Sequence, residues 1–139
     1  MKQALDWLSQ NHADLVRNLA DQVTIPSIST DGEHQKEIEE TAALTCEQMR
    51  QIGLQNVEVL RCGDSNPYAY GEWLGAPGKP TVFLYAHHDV QPINFVEDWQ
   101  SPPWTLTPRS GRLYGRGAAD VTSDVFTQLW GATPTHYGR

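Results

Sequence analysis

The sequence predicts an α/β fold in which helices cover a sheet on both faces, that is, a three-layer α/β domain. Three observations support this: helical periodicity in the first fifty residues, two-residue alternation from residue 57, and a wholly apolar run at residues 82–86. The chain has 139 residues, enough for one compact domain and too few for two.

Two stretches of helical periodicity open the chain. Apolar residues recur every three or four positions over residues 5–23, which predicts one or two amphipathic helices ending before Pro26. A second helix is predicted to begin near residues 31–34 and to end at Gly53, a residue well suited to a C-terminal cap. Its predicted inner face comprises Ile38, Ala42, Met49 and Ile52.

Strand patterns follow the second helix. Val57 and Val59 alternate with Glu58, as in a half-exposed strand, and residues 68–74 predict a second strand. Residues 82–86, Val-Phe-Leu-Tyr-Ala, have no polar face. They predict a strand buried on both sides, at the centre of a sheet covered by helices.

Charge and cysteine content exclude several functional classes. Ten Lys and Arg against seventeen Asp and Glu give a net charge of −7, which disfavours nucleic acid and membrane surfaces as partners. No run approaches the roughly 18 apolar residues of a membrane helix, and the N-terminus does not resemble a signal peptide. Cys46 and Cys62 form no C-x-x-C pair and are interpreted as two buried thiols in a reducing compartment. We therefore expect a cytoplasmic protein.

The strongest local motif is His87-His88-Asp89, directly after the apolar run. Ligands and metals collect at the carboxyl ends of central strands in open α/β sheets. Residues two apart in an extended segment point the same way, so His87 and Asp89 are predicted to face one pocket and His88 the other side. One imidazole nitrogen could then bind a metal while the carboxylate holds the other.

A second motif covers residues 111–120, where small residues precede Asp120. Such residues let the backbone pass close to another group. A helix is predicted over residues 121–131, so Asp120 is also a candidate N-cap, a role compatible with metal binding. The motif lacks the spacing of a phosphate-binding loop.

The two motifs in sequence resemble a known family. Residues 84–92, 99–104 and 111–120 follow in order and at fitting distances, and residues 25–29 and 70–75 fit its dipeptidase branch. This is similar to the zinc metallopeptidases that include carnosine dipeptidases, aminoacylases, acetylornithine deacetylase and succinyl-diaminopimelate desuccinylase. The resemblance covers nearly the whole chain to Asp120 and implies a three-layer αβα zinc-peptidase-like catalytic domain with a mixed sheet.

The resemblance also implies residue roles. His87 would be a zinc ligand, Asp89 would act in catalysis by orienting His87, and Asp120 would bridge two zinc ions, with Mn²⁺ or Co²⁺ as alternative metals. A metal-activated water and a glutamate base would then cleave a small peptide or an N-acyl amino acid.

The resemblance to the family weakens after Asp120. The family continues with Asp-Lys-Gly, whereas this chain has Val-Thr-Ser at residues 121–123, and no glutamate follows Asp120. We therefore expect residues 1–139 to be a single, partial catalytic domain: family-like over 1–120, helical over 121–131, with an unmatched tail at 132–139. A catalytic zinc normally has about three protein ligands, so the isolated chain is expected to be inactive.

Three functional alternatives remain open from the sequence. The first is a dipeptidase-like zinc hydrolase, the second an N-acyl amino acid deacylase of the same family, and the third a non-catalytic fragment that binds metal weakly. A sheet interrupted at a central strand would expose an edge and apolar surface, so homo-oligomers or aggregation through that edge are also expected.

Overall fold

The structure is a computed structural model that describes residues 2–120. The helix predicted over 121–131 and the tail at 132–139 lie outside the described residues. In chain order the elements are α1 (Lys2–Val23), α2 (Gln35–Gln51), β1 (Gln55–Leu60), β2 (Tyr68–Glu72), a 3₁₀ turn (Val96–Asp98), β3 (Thr107–Arg109) and β4 (Arg112–Tyr114).

The predicted helices are both present, the first as one continuous helix. Three of the four residues predicted for the inner face of α2 are buried, with Ile38 1%, Ala42 0% and Ile52 3% exposed, whereas Met49 is half-buried. The helix ends where Gly53 adopts a positive φ of 87°, and the Gly53 amide donates to the Arg50 carbonyl at 3.0 Å. Glycine adopts this left-handed conformation without steric cost, which explains why the helix stops there.

A buried polar network joins α1 to α2. Gln22 donates from Nε2 to Thr45 Oγ1 at 3.2 Å and to Gln48 Oε1 at 3.0 Å. Its Oε1 accepts from Thr41 Oγ1 at 3.0 Å. These four side chains are buried, and each hydrogen bond compensates for the loss of water. The network fixes how the two helices face one another.

Two antiparallel hairpins complete the described structure. In the first, β1 pairs with β2 with Leu60 opposite Tyr68, and α2 packs on both strands. In the second, β3 pairs with β4 with Thr107 opposite Tyr114, across a turn in which Gly111 has a φ of 74°. The two strands predicted near residues 57–59 and 68–74 are therefore confirmed as β1 and β2, whereas the β3–β4 hairpin was not predicted.

The prediction of a buried central strand at residues 82–86 is wrong for the part of the chain that the structure describes. These residues belong to no strand, and Val82 is 76%, Phe83 83%, Leu84 51% and Tyr85 71% exposed. An apolar run becomes a buried strand only when other strands pair with it and other elements cover it. Within residues 2–120, β1–β2 and β3–β4 are separate two-stranded sheets, and neither pairs with this run.

The cysteines also differ from expectation. Both are free thiols, but only Cys46 is buried, whereas Cys62 is exposed in the loop between β1 and β2. Burial raises the pKa of the Cys46 thiol. Across residues 2–120, no helix combines the length and apolar character that a membrane span requires.

Candidate metal centre

The segment that carries the histidines is held by a distant part of the chain. Ile28 forms a parallel bridge with Val90. The Val90 amide donates to the Ser27 carbonyl at 2.9 Å, and the Ser27 hydroxyl donates to the His88 carbonyl at 3.0 Å. Residues 27–29 therefore fix the backbone of residues 88–90, although about sixty residues separate them in sequence.

The predicted alternation of side chains is confirmed at this segment. His87 Nδ1 lies 2.8 Å from Asp89 Oδ1. His88 instead places Nε2 2.9 Å from the Pro67 carbonyl, away from that pair. An ionised carboxylate only accepts, so the Nδ1 of His87 carries the proton, and Nε2 is the nitrogen that keeps a lone pair in the neutral ring.

The second oxygen of Asp89 is also engaged. Oδ2 accepts a hydrogen bond from the Ser29 hydroxyl. Burial alone would raise the pKa of the Asp89 carboxyl, but hydrogen bonds from Ser29 and His87 together outweigh it, so the pKa lies below its ordinary value. Asp89 is therefore a carboxylate at neutral pH with both oxygens occupied by donors.

The three residues predicted for the site border one cavity. It has a volume of about 200 Å³ and is lined by His87, Asp89, Val90, Gln91, Arg116 and Asp120. The His87 side chain is 51% exposed and that of Asp89 34% exposed. The cavity is therefore open to solvent, as a site that receives a substrate must be.

The approach of Asp120 to this cavity depends on the small residues before it. A Cβ on Gly115 would lie 2.8 Å from Val23 Cγ1, closer than any ordinary contact, so only glycine fits where this segment passes the end of α1. Gly117 has a φ of 80°. The Arg116 amide between them donates to the Pro103 carbonyl at 2.7 Å.

Arg116 also lines the cavity, a position that the sequence motifs did not predict. Its guanidinium donates to the Pro92 carbonyl at 3.1 Å and lies 5.3 Å from the Trp99 ring centroid. Its Nε is buried and has no hydrogen-bond partner among the described residues. Arg116 therefore adds a positive charge to a cavity that also holds two carboxylates.

A larger hollow, of about 600 Å³, is lined by residues between 94 and 101, by the β3–β4 hairpin and by small residues that follow it. Among the described residues, its lining contains no histidine and one acid, Asp98. The smaller cavity is therefore the better candidate for metal chemistry.

The donor atoms at the smaller cavity suit a metal such as zinc, which binds imidazole nitrogen and carboxylate oxygen. His87 Nε2 and the Asp120 carboxylate are the available donors. In the part of the chain that the structure describes, no group of three or more His, Cys, Asp or Glu side chains is placed to hold a metal ion. The described residues thus offer part of a ligand set.

Comparisons with known proteins show which proteins this chain is similar to. The model of peptidase family M20/M25/M40 matches residues 83–133 of this chain. This range contains all three predicted site residues. The chain is 31% identical over 134 residues to a Cys-Gly metallodipeptidase of Schizosaccharomyces pombe, covering 86% of this chain and 28% of that protein. It is 30% identical over 141 residues to the mouse (Mus musculus) Beta-Ala-His dipeptidase, covering 93% and 28%.

Solved structures show the same likeness. The crystal structure of human carnosine dipeptidase 1 matches with a TM-score of 0.87 and 25% identity, covering 99% of this chain and 32% of that chain. This match confirms the predicted α/β fold class. The chain spans less than a third of the length of the relatives it matches. It belongs to the M20/M25/M40 peptidase family and corresponds to the N-terminal part of a member's catalytic domain.

Proposed function

We propose that the protein is a zinc-dependent, dipeptidase-like hydrolase and that this chain supplies one edge of its metal centre. The observation that carries the proposal is the cavity bordered by His87, Asp89 and Asp120, with the imidazole already held by a carboxylate. Relatives that are metallodipeptidases support the reaction class.

Each of the three residues has a distinct role in this proposal. His87 binds zinc through Nε2, because its Nδ1 is bonded to Asp89. Asp89 does not touch the metal; it fixes the ring and raises its basicity. Asp120 would hold the metal through its carboxylate and would be the ligand that two ions share. When bound, the metal supplies Lewis acidity and lowers the pKa of water, so that an amide carbon can be attacked at neutral pH.

The names of the relatives support one of the two competing reactions. A Cys-Gly dipeptidase and a Beta-Ala-His dipeptidase act on small peptides, which favours a dipeptide substrate over an N-acyl amino acid. We also propose zinc ahead of Mn²⁺ or Co²⁺, because mixed nitrogen and oxygen donors suit it. Free thiols at Cys46 and Cys62 support a cytoplasmic location.

A zinc titration of the 139-residue chain tests the metal site. We expect His87→Ala and Asp120→Ala each to weaken zinc binding by more than about 100-fold, beyond the effect of losing an outer-shell partner. Matched controls are His12→Ala and Asp64→Ala, which change exposed residues outside the cavity and should bind zinc as the unchanged chain does. If His87→Ala and Asp120→Ala bind zinc as tightly as the unchanged chain does, the proposed function is refuted.

A hydrolysis assay addresses the chain's own contribution. With added zinc, we expect the 139-residue chain to cleave Cys-Gly or β-Ala-His no faster than zinc alone. It has no glutamate after Asp120, and a missing general base costs roughly 10²–10⁴-fold in rate. Rapid cleavage by the purified chain would show that His87, Asp89 and Asp120 suffice without further ligands.

A further inference from the structure

Ser29 lies sixty residues before Asp89, yet the two side chains form a direct hydrogen bond. The Ser29 hydroxyl donates to Asp89 Oδ2, while Oδ1 of the same carboxylate faces His87 Nδ1 at 2.8 Å. Asp89 therefore has a separate donor on each oxygen.

The two donors together restrict a motion that one donor would leave open. The torsion that turns a carboxylate about its Cβ–Cγ bond is broad and weakly restrained in proteins. With His87 as its one partner, the Asp89 carboxylate could turn and offer either oxygen at varying angles. A second donor on Oδ2 fixes the carboxylate plane and so fixes where the imidazole proton must lie.

The backbone around Ser29 is itself anchored against the Asp89 segment. Ile28 forms a parallel bridge with Val90, and the Ser27 carbonyl accepts a hydrogen bond from the Val90 amide, so both contacts are made by the backbone. These contacts set the distance between Ser29 and Asp89, so the hydroxyl is presented from a rigid support. A site built on such support holds its geometry better than one built on a free loop.

We propose that Ser29 is a positioning residue for the metal site: its hydroxyl locks the Asp89 carboxylate, which in turn holds His87 as the Nδ1–H tautomer with Nε2 free for metal. The zinc part of this inference rests on the proposed function. The tautomer part does not, because it concerns the metal-free protein.

The competing explanation is that Ser29 merely packs residues 27–29 against residues 88–90. Ser27 provides the matched control, since it is a serine in the same segment whose hydroxyl bonds to a backbone carbonyl and not to Asp89. If packing is all that matters, removing either hydroxyl should have the same effect on the site.

The test uses the full 139-residue chain and three variants, Ser29→Ala, Ser29→Thr and Ser27→Ala. Zinc affinity is measured by competition with a chelator, and the tautomer of His87 by ¹⁵N NMR of the metal-free protein. We expect Ser29→Ala to weaken zinc binding about 10-fold, the lower end of the effect of outer-shell partners, and to increase the Nε2–H tautomer. Ser29→Thr keeps a hydroxyl and should restore both values.

Ser27→Ala is expected to lower stability without changing the His87 tautomer. Equal effects of Ser27→Ala and Ser29→Ala, or an unchanged tautomer in Ser29→Ala, would overturn the proposal. If Ser29→Ala does not fold, Ser29→Cys replaces it, because its thiol is a weak donor. Ser29→Cys should increase the Nε2–H tautomer of His87 by a smaller amount. If the unchanged chain binds no zinc at His87, the proposed function fails, while the tautomer comparison still decides the role of Ser29.

Discussion

The exposed apolar run at residues 82–85 predicts self-association of the 139-residue chain. Val82 is 76%, Phe83 83% and Leu84 51% exposed, which together equals about two fully exposed large apolar side chains. Fully burying one such side chain is worth about 1.5–3 kcal/mol, so covering the run stabilises by roughly 3–6 kcal/mol per chain. Association itself costs roughly 4–15 kcal/mol, so two copies that cover each other's runs should form weak, concentration-dependent oligomers.

Sedimentation velocity over a range of concentrations measures this association, and Phe83→Lys should reduce it. A lysine removes the most exposed apolar side chain of the run and places a charge on the surface through which two runs would pack. Leu5→Lys is the matched control: Leu5 is 58% exposed on α1, away from the run in sequence. Its substitution should leave the average mass unchanged.

Two results would refute this reasoning. One is a chain that stays monomeric and melts cooperatively at every concentration. The other is an equal loss of association in Phe83→Lys and Leu5→Lys, since the effect would then come from net charge and not from the run.

Three further predictions concern stability. Gly115→Ala should destabilise by about 1–3 kcal/mol in urea unfolding, because the new Cβ meets Val23 Cγ1 at 2.8 Å; simple additivity with Val23→Ala in a double-mutant cycle would contradict this. The lowered pKa of Asp89 means that its ionised form stabilises the fold above about pH 4 and that this contribution disappears as pH falls through the folded pKa. Asp89→Asn should therefore lose less stability on acidification than the unchanged chain, measured by thermal melts from pH 6 to about pH 2.5. Gln22→Leu leaves the buried Thr41 hydroxyl without its acceptor and should cost about 1–3 kcal/mol, whereas an unchanged melting temperature would show that the network is dispensable.

Local patterns in the sequence predicted what local physics determines. Helical periodicity correctly predicted α1 and α2, and Gly53 correctly predicted the end of α2. Helix formation and helix termination both depend on residues within a few positions of one another. The pairing of His87 with Asp89, and the opposite direction of His88, follow from the alternation of side chains in an extended segment.

The features that the sequence did not predict depend on contacts between residues that lie far apart in the chain. Residues 82–86 were predicted as a buried strand because they are apolar, but burial also requires covering elements, and sequence periodicity does not show where those are. Ser29 and Arg116 were missed for the same reason. Both lie in segments that carry the resemblance to the family, but each reaches the site through a contact with a residue 24 or 60 positions away, which local periodicity does not show.

The link between Ser29 and Asp89 has a consequence for the order of folding. Helices and hairpins form through local contacts within microseconds, whereas this hydrogen bond requires closure of a loop of sixty residues, whose entropy must be lost first. The imidazole and carboxylate at positions 87 and 89 are neighbours in the chain, yet their final alignment depends on this late closure. In refolding experiments, protection at this segment should therefore appear after that of α2 and the β1–β2 hairpin.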